Sequence, residues 1–176
     1  MTLEQAIQQK KAELHALPFY QKMINGQLTK IQYLIYLTEI KFIHDYIDHK
    51  SNHKDHMDLV RWLRLEVDKL ELAHDIFPEQ VNPTGNGISE NYAVFNMMSG
   101  FERANAHAYV HYREMLEECD TLKSVVPGKG RIYVYENKNA CLSYLENNKP
   151  SEEWLDECVK AYQIRIDICK KLETIL

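Results

Sequence analysis

Three sets of side chains in this sequence have the types and spacing that chemistry needs. Glu71 and His74 put a carboxylate and an imidazole on one helix face, the Glu-x-x-His spacing used by di-iron carboxylate bundles. His107 and His111 stand four residues apart, hence also on one face, with Tyr109 and Tyr112 beside them. Glu39 and His44 would be a further contribution to such a centre. A di-iron site takes matching ligands from the facing helices, yet the last helical stretch offers only Cys158, Tyr162 and Cys169 at inward positions. With no carboxylate or histidine from it, hydrogen-bonded or exposed pairs are the plainer reading of all four residues. The third set, His49, His53 and His56, lies among Lys50 and Lys54 without apolar neighbours, which favours a solvated helix end and loop over a metal site. No nucleophile elbow, glycine-rich phosphate loop or zinc-protease signature is present.

Helices must position these groups. Residues 2 to about 25 read as a helix broken near Pro18 and stopped at Asn25-Gly26. Thr29 caps a second helix, in which Tyr33, Leu37, Ile40, His44 and Ile47 recur at steps of three and four. A third runs from about Asp58 to Ile76 and is ended by Phe77-Pro78. It has Leu59, Trp62, Leu63, Leu70 and Ala73 inward and Arg61, Arg64 and Lys69 outward. After the loop Asn82 to Gly87, Ser89 caps a long fourth helix to about Leu122, with Gly100 as a kink or close-contact point. Arg131 to Tyr135, after the turn Pro127 to Gly130, alternates like a short extended segment. Residues 138 to 148 form a short helix. The last helix restarts at Pro150-Ser151 and buries Leu155, Val159, Tyr162, Ile166, Cys169 and Leu172.

The 176 residues suffice for one domain, 1–176, able to bury roughly 70% of the surface its unfolded chain exposes. With only 6 Gly and 5 Pro, the chain favours helix over tight turns. Its net charge of -5, and the lack of any basic block longer than Lys10-Lys11, argue against nucleic acid or an anionic membrane as partner. Neither an apolar signal region nor a span-length apolar run is present, so the default location is the cytoplasm. Cys119, Cys141, Cys158 and Cys169 are far apart and read as small buried residues in a reducing compartment.

Five stretches, in order, resemble the heme oxygenase family over most of the chain. Asn25-Gly26-Gln27-Leu28-Thr29-Lys30 resembles the turn after its first helix, Leu65-Glu66-Val67-Asp68-Lys69-Leu70 its Leu-Glu-x-Asp-Leu segment, and Ala106-His107-Ala108-Tyr109 its Ala-His-Ala-Tyr helix. Gly128-Lys129-Gly130 through Tyr135-Glu136-Asn137 is similar to its Gly-x-Gly and Phe-Pro-Asn stretch. Lys160-Ala161-Tyr162 with Lys170-Lys171-Leu172-Glu173 is similar to its last helix. The resemblance implies an all-α heme oxygenase-like bundle holding a haem between the first helix and a kinked distal helix. There the haem is cleaved, with O2 and electrons from a donor protein, to biliverdin, CO and iron.

The departures lie at the expected site. The family's iron-ligating histidine falls on Lys11, whose ammonium cannot ligate iron while protonated, and His15 one turn on is the only first-helix histidine. The distal glycine stretch falls on Glu114 to Cys119, so Glu114 and Glu118 stand where backbone contact is required. The propionate-holding cations fall on Glu4, Gln8, Leu145 and Lys149, of which only Lys149 is charged positively, while Tyr109 matches the family's pocket tyrosine. The leading expectation is a divergent member that binds haem or another small flat ligand. His15 is then the axial ligand, and Lys11, Tyr109, Glu114, Glu118 and Lys149 line the pocket. The alternatives are a protein that keeps the fold as a binding or scaffold module, and a di-iron oxidase using Glu71, His74, His107 and His111.

Overall fold

The computed structural model describes residues 1–76 and 87–175, the side chains at 54, 55 and 175 excepted. The helix stop at Phe77-Pro78 and the loop residues Asn82 to Asn86 therefore lie outside the described residues. Among the described residues there are eight α-helices and no strand: α1 Leu3–His15, α2 Pro18–Ile24, α3 Lys30–Lys50, α4 Trp62–Ile76, α5 Ile88–Met97, α6 Phe101–Leu122, α7 Lys138–Asn147 and α8 Leu155–Ile175. None of them is long and apolar enough to cross a membrane.

Local chemistry sets most helix ends. Thr2 with Gln5 and Thr29 with Gln32 form capping boxes at the starts of α1 and α3, each satisfying two otherwise orphaned N–H groups. The expected break at Pro18 is present, because proline suits the first turn of α2 and cannot continue α1. Gly26, with φ +67°, follows the C-cap of α2, where a left-handed residue ends the helix.

The N-termini of α4 and α5 are capped differently, from within the core. Asp48 on α3 accepts the backbone N–H groups of Arg61 at 2.9 Å and Trp62 at 2.8 Å, where α4 begins. Glu39, nine residues earlier on α3, accepts those of Gly87 at 3.2 Å and Ser89 at 3.0 Å, where α5 begins. Each buried carboxylate thus meets the positive end of a helix dipole as well as its unpaired donors. Helix α3 is buried on nearly every side, Tyr33, Leu34, Leu37, Ile43, Tyr46 and Ile47 all being inaccessible. It packs on α4, α5 and α6, while α8 packs on α1, α2 and α6. One continuous apolar core joins them.

Three expectations are corrected. The long fourth helix is two helices, α5 and α6, parted at Met98 to Gly100. Ser89 lies inside α5, where its hydroxyl donates to Glu39 rather than capping. Arg131–Tyr133 is a turn of 3₁₀ helix rather than an extended segment. The face assigned to α4 is also rotated: Leu63 and Leu70 are 58% and 49% exposed, whereas Arg61 is 0% exposed and Lys69 buried. The reason is polar. The Arg61 guanidinium donates to the carbonyls of Val134 at 2.7 Å, Ile132 at 3.3 Å and Asp58, and it stacks 3.7 Å from the Tyr135 ring. A side chain with that many partners is buried against the apolar period.

Gly130 has φ +59°, and a Cβ there would stand 2.9 Å from the carbonyl oxygen of Lys123. Gly130→Ala is expected to lower stability by roughly 2 kcal/mol from the backbone strain and the clash together, read as a fall in the urea midpoint. Gly100→Ala is the mild control, since Gly100 has φ -71° and open space around it.

Candidate functional site

The seam between α1 and α6 is where the expected site residues meet. His15 and Lys11, one turn apart on α1, face the glutamates that α6 carries at 114, 117 and 118. His15 Nε2 lies 2.6 Å from Glu114 Oε1, and the His15 ring stacks on Tyr20 with centroids 4.3 Å apart. Glu114 also accepts the hydroxyl protons of Tyr20 at 3.1 Å and, through its other oxygen, Tyr162 at 2.9 Å. Burial pushes the Glu114 carboxyl up, but the hydrogen bond and charge of His15, with Arg165 and Lys11 nearby, outweigh it and hold the group below the usual carboxylate value.

Further along, Lys11 pairs with Glu117 and, at 3.2 Å, with Glu118. Arg113 bridges the helices, donating to both oxygens of Glu4 at 2.8 and 2.9 Å, to Glu117 at 2.5 Å and to the Tyr109 hydroxyl at 3.1 Å. Lys149 donates to Glu4 at 3.2 Å. The structure therefore brings all six residues, His15, Lys11, Tyr109, Glu114, Glu118 and Lys149, to one seam. In place of an axial or propionate-binding role, the cations among them are bound to carboxylates of this chain.

The cavity at the Glu114 end of the seam, beside Tyr20, Tyr36, Tyr133 and Arg165, measures about 10 Å³, while an open pocket of about 330 Å³ lies at the other end, lined by Tyr109, Arg113, Glu117 and Leu145. Pockets for ligands of drug or cofactor size run to hundreds of Å³. At the Glu114 end the residues as placed leave no room for a haem, and His15 is already hydrogen-bonded to Glu114.

The di-iron set is not assembled. Glu71 and His74 lie exposed on α4, with Glu71 held by Arg131 at 2.7 Å through each oxygen, while His107 and His111 are buried on α6. Glu39 is the cap of α5, and His44 Nδ1 lies 3.3 Å from Asp48. Among the described residues no group of three or more His, Cys, Asp or Glu is placed to hold a metal ion. The segment around His49 to His56 is also less solvated than its composition suggests. Asp48, Ser51 and His53 are buried, and His53 meets the Tyr144 hydroxyl at 3.2 Å.

Next to the seam runs a hydrogen-bonded chain that the sequence did not reveal. Arg165 Nε donates to His111 Nδ1 at 2.8 Å, His111 Nε2 lies 3.2 Å from the Tyr92 hydroxyl, that hydroxyl meets His107 Nδ1, and His107 Nε2 lies 2.7 Å from Glu157. Burial, with Arg165, His107 and His44 beside it, holds His111 well below the ordinary histidine value. Burial likewise lowers His107 by more than Glu157 lifts it. Both rings are therefore neutral near pH 7, and their tautomers follow. A guanidinium only donates, so His111 Nδ1 accepts and its proton sits on Nε2, donated to Tyr92. Tyr92 must then donate to His107 Nδ1, and His107 Nε2–H donates to Glu157. Every bond points one way, from the buried guanidinium to a carboxylate that Arg103 clasps with two bonds of 2.9 Å. Glu157 comes from α8, the helix expected to bring no carboxylate inward, and Arg165 comes from the same helix. The four cysteines are free and buried, as their spacing suggested.

No family model matches the chain, and no curated protein matches it. Solved structures do. Heme oxygenase-1 from the cyanobacterium Synechocystis, crystallised in complex with heme, superposes with TM-score 0.79 at 17% identity over 98% of this chain and 90% of that one. Heme oxygenase from Leptospira interrogans gives TM-score 0.75 at 16% identity over 97% and 100%. The helical bundle built above is therefore the heme oxygenase-like all-α fold.

Proposed function

We propose that this protein keeps the heme oxygenase-like fold as a binding or scaffold module and neither takes up nor cleaves haem between α1 and α6. The observation that carries this reading is the occupation of Glu114, which receives hydrogen bonds from His15, Tyr20 and Tyr162 and leaves His15 no free nitrogen on that side. To free His15 for iron, the seam must give up a 2.6 Å hydrogen bond and leave a carboxylate only 2% exposed without it. Losing a hydrogen bond to a charged group costs roughly 1.5–3 kcal/mol. A partner protein has a surface to meet at the junction of α5 and α6. Val94, Phe95, Met98 and Phe101 are neighbours there, 62%, 69%, 88% and 53% exposed. The buried free thiols fit a reducing compartment, and we place the protein in the cytoplasm.

Because one neighbour of this fold was solved with heme, hemin is the ligand to test. Titrated with one equivalent of hemin, the protein is expected to show no Soret shift beyond that of free hemin, and no biliverdin on addition of reductant and O2. A stoichiometric shift that disappears in His15→Ala overturns the proposal.

A further inference from the structure

Helix α4 carries apolar residues on two faces, and only one of them is buried. Leu65, Leu72 and Ala73 belong to the core, whereas Leu63 and Leu70 are 58% and 49% exposed and Val67 is half-buried. Single leucines at a surface are ordinary. Here, however, Leu63, Val67, Leu70 and His74 follow one another at steps of four, three and four, over most of a fifteen-residue helix. That is the seam spacing by which one helix receives another, knobs into holes. Helix α4 packs chiefly on α3 and the Arg131–Tyr133 turn, and the seam is turned away from both, toward solvent.

The charges beside the seam say which helix fits it. Arg64 and Glu71, seven residues apart, flank the same side. Arg64 donates to the carbonyl of Val60 at 3.4 Å, forms no ion pair among the described residues and has the Arg61 guanidinium for a neighbour. Glu71 is held by Arg131 through each oxygen, but its side chain is 47% exposed and a carboxylate has further lone pairs to offer. When two such helices lie antiparallel about a two-fold axis, Val67 of each copy faces Leu70 of the other, and Leu63 faces His74. Arg64 of each copy then stands beside Glu71 of the other, twice over. A parallel pair would instead set Glu66 against Glu71, acid on acid.

We infer that the outer face of α4 is the contact between two copies of this chain, their α4 helices packed antiparallel with Val67 and Leu70 at the centre and the Arg64–Glu71 pairs at the rim. This contact uses neither the α1–α6 seam nor the α5–α6 junction. Fifteen residues make a helix about 22 Å long, and one such pair covers less than the roughly 1,600 Å² of a standard interface. The dimer is therefore a reversible one, formed at micromolar concentrations.

Sedimentation equilibrium of the intact protein, from low micromolar to submillimolar concentration, tests it. The wild type is expected to pass from monomer to dimer and stop there, because a two-fold contact closes on itself. Leu70→Lys, a change at an exposed position, is expected to keep the thermal midpoint and weaken the dimer about a hundredfold. Arg64→Glu and Glu71→Lys are each expected to weaken it about tenfold. The double variant, which exchanges the two charges, is expected to recover most of the loss, a rescue that a purely local role for either residue would not produce. A monomer at every concentration leaves the seam to a different protein and overturns the inference. A dimer that survives Leu70→Lys but is lost in Met98→Lys places the contact at the α5–α6 junction, and charge variants without rescue remove the antiparallel register; either result overturns it as well.

Discussion

Glu114→Ala is expected to destabilise the protein by roughly 3–5 kcal/mol, seen as a large drop in the urea midpoint with little change in its slope. The substitution removes an acceptor that is 2% exposed and leaves His15, the Tyr20 and Tyr162 hydroxyls and the neighbouring Arg165 without the charge that faces them. Glu114→Gln keeps the shape and one carbonyl acceptor, so it should fall between the alanine variant and the wild type. The loss is also pH-dependent, with a definite sign. The folded carboxyl is held below its ordinary value of 4.5, so its contribution is complete above about pH 4.5 and is lost as pH falls through the folded value. The gap between wild type and Glu114→Ala should therefore narrow only on the acid side. A gap as wide at pH 3 as at pH 7 would show that packing, not charge, supplies the stability.

Arg61→Ala is expected to cost about as much, roughly 3–5 kcal/mol, although no catalytic or binding role is claimed for Arg61. Its guanidinium serves three carbonyls, of Asp58, Ile132 and Val134, and covers the Tyr135 ring, so its loss strips acceptors and packing together. Arg131 is the comparison. It makes bidentate bonds to Glu71 and one to Asp68, but its side chain is 28% exposed and its main partner Glu71 is exposed as well. Water replaces the bonds to Glu71 but not fully the one to Asp68, which is 3% exposed, so Arg131→Ala should cost about 1–3 kcal/mol, less than Arg61→Ala. Equal midpoints for the two variants would contradict the burial assigned to Arg61.

These two variants also mark how far the sequence could be read. Thr29, Pro18 and Asn25-Gly26 act through neighbours three or four residues away, so their capping and stopping roles were visible in the chain itself. The seam residues come from the resemblance, and the structure sets them along the contact of α1 with α6. Their pairing with one another was not visible, because whether Lys11 meets iron or Glu117 depends on how closely α1 approaches α6. Arg61, Arg165 and Glu157 escaped for a single reason. Each is carried inward by partners 50 or more residues away, such as Val134 for Arg61 and His111 for Arg165, and polar burial of that kind leaves no apolar period behind. The break between α5 and α6 was hidden by the opposite effect. Met97, Met98 and Phe101 continue the apolar composition through the turn even though they face solvent.

Asp48 and Glu39 have a consequence for the order in which the chain acquires structure. Helices usually carry their own N-terminal caps and can be completed locally, whereas α4 and α5 receive theirs from α3. Neither helix start is fully satisfied until α3 is formed and docked. The middle of the chain is thus built as a template, and hydrogen exchange is expected to report α4 and α5 opening whenever α3 does.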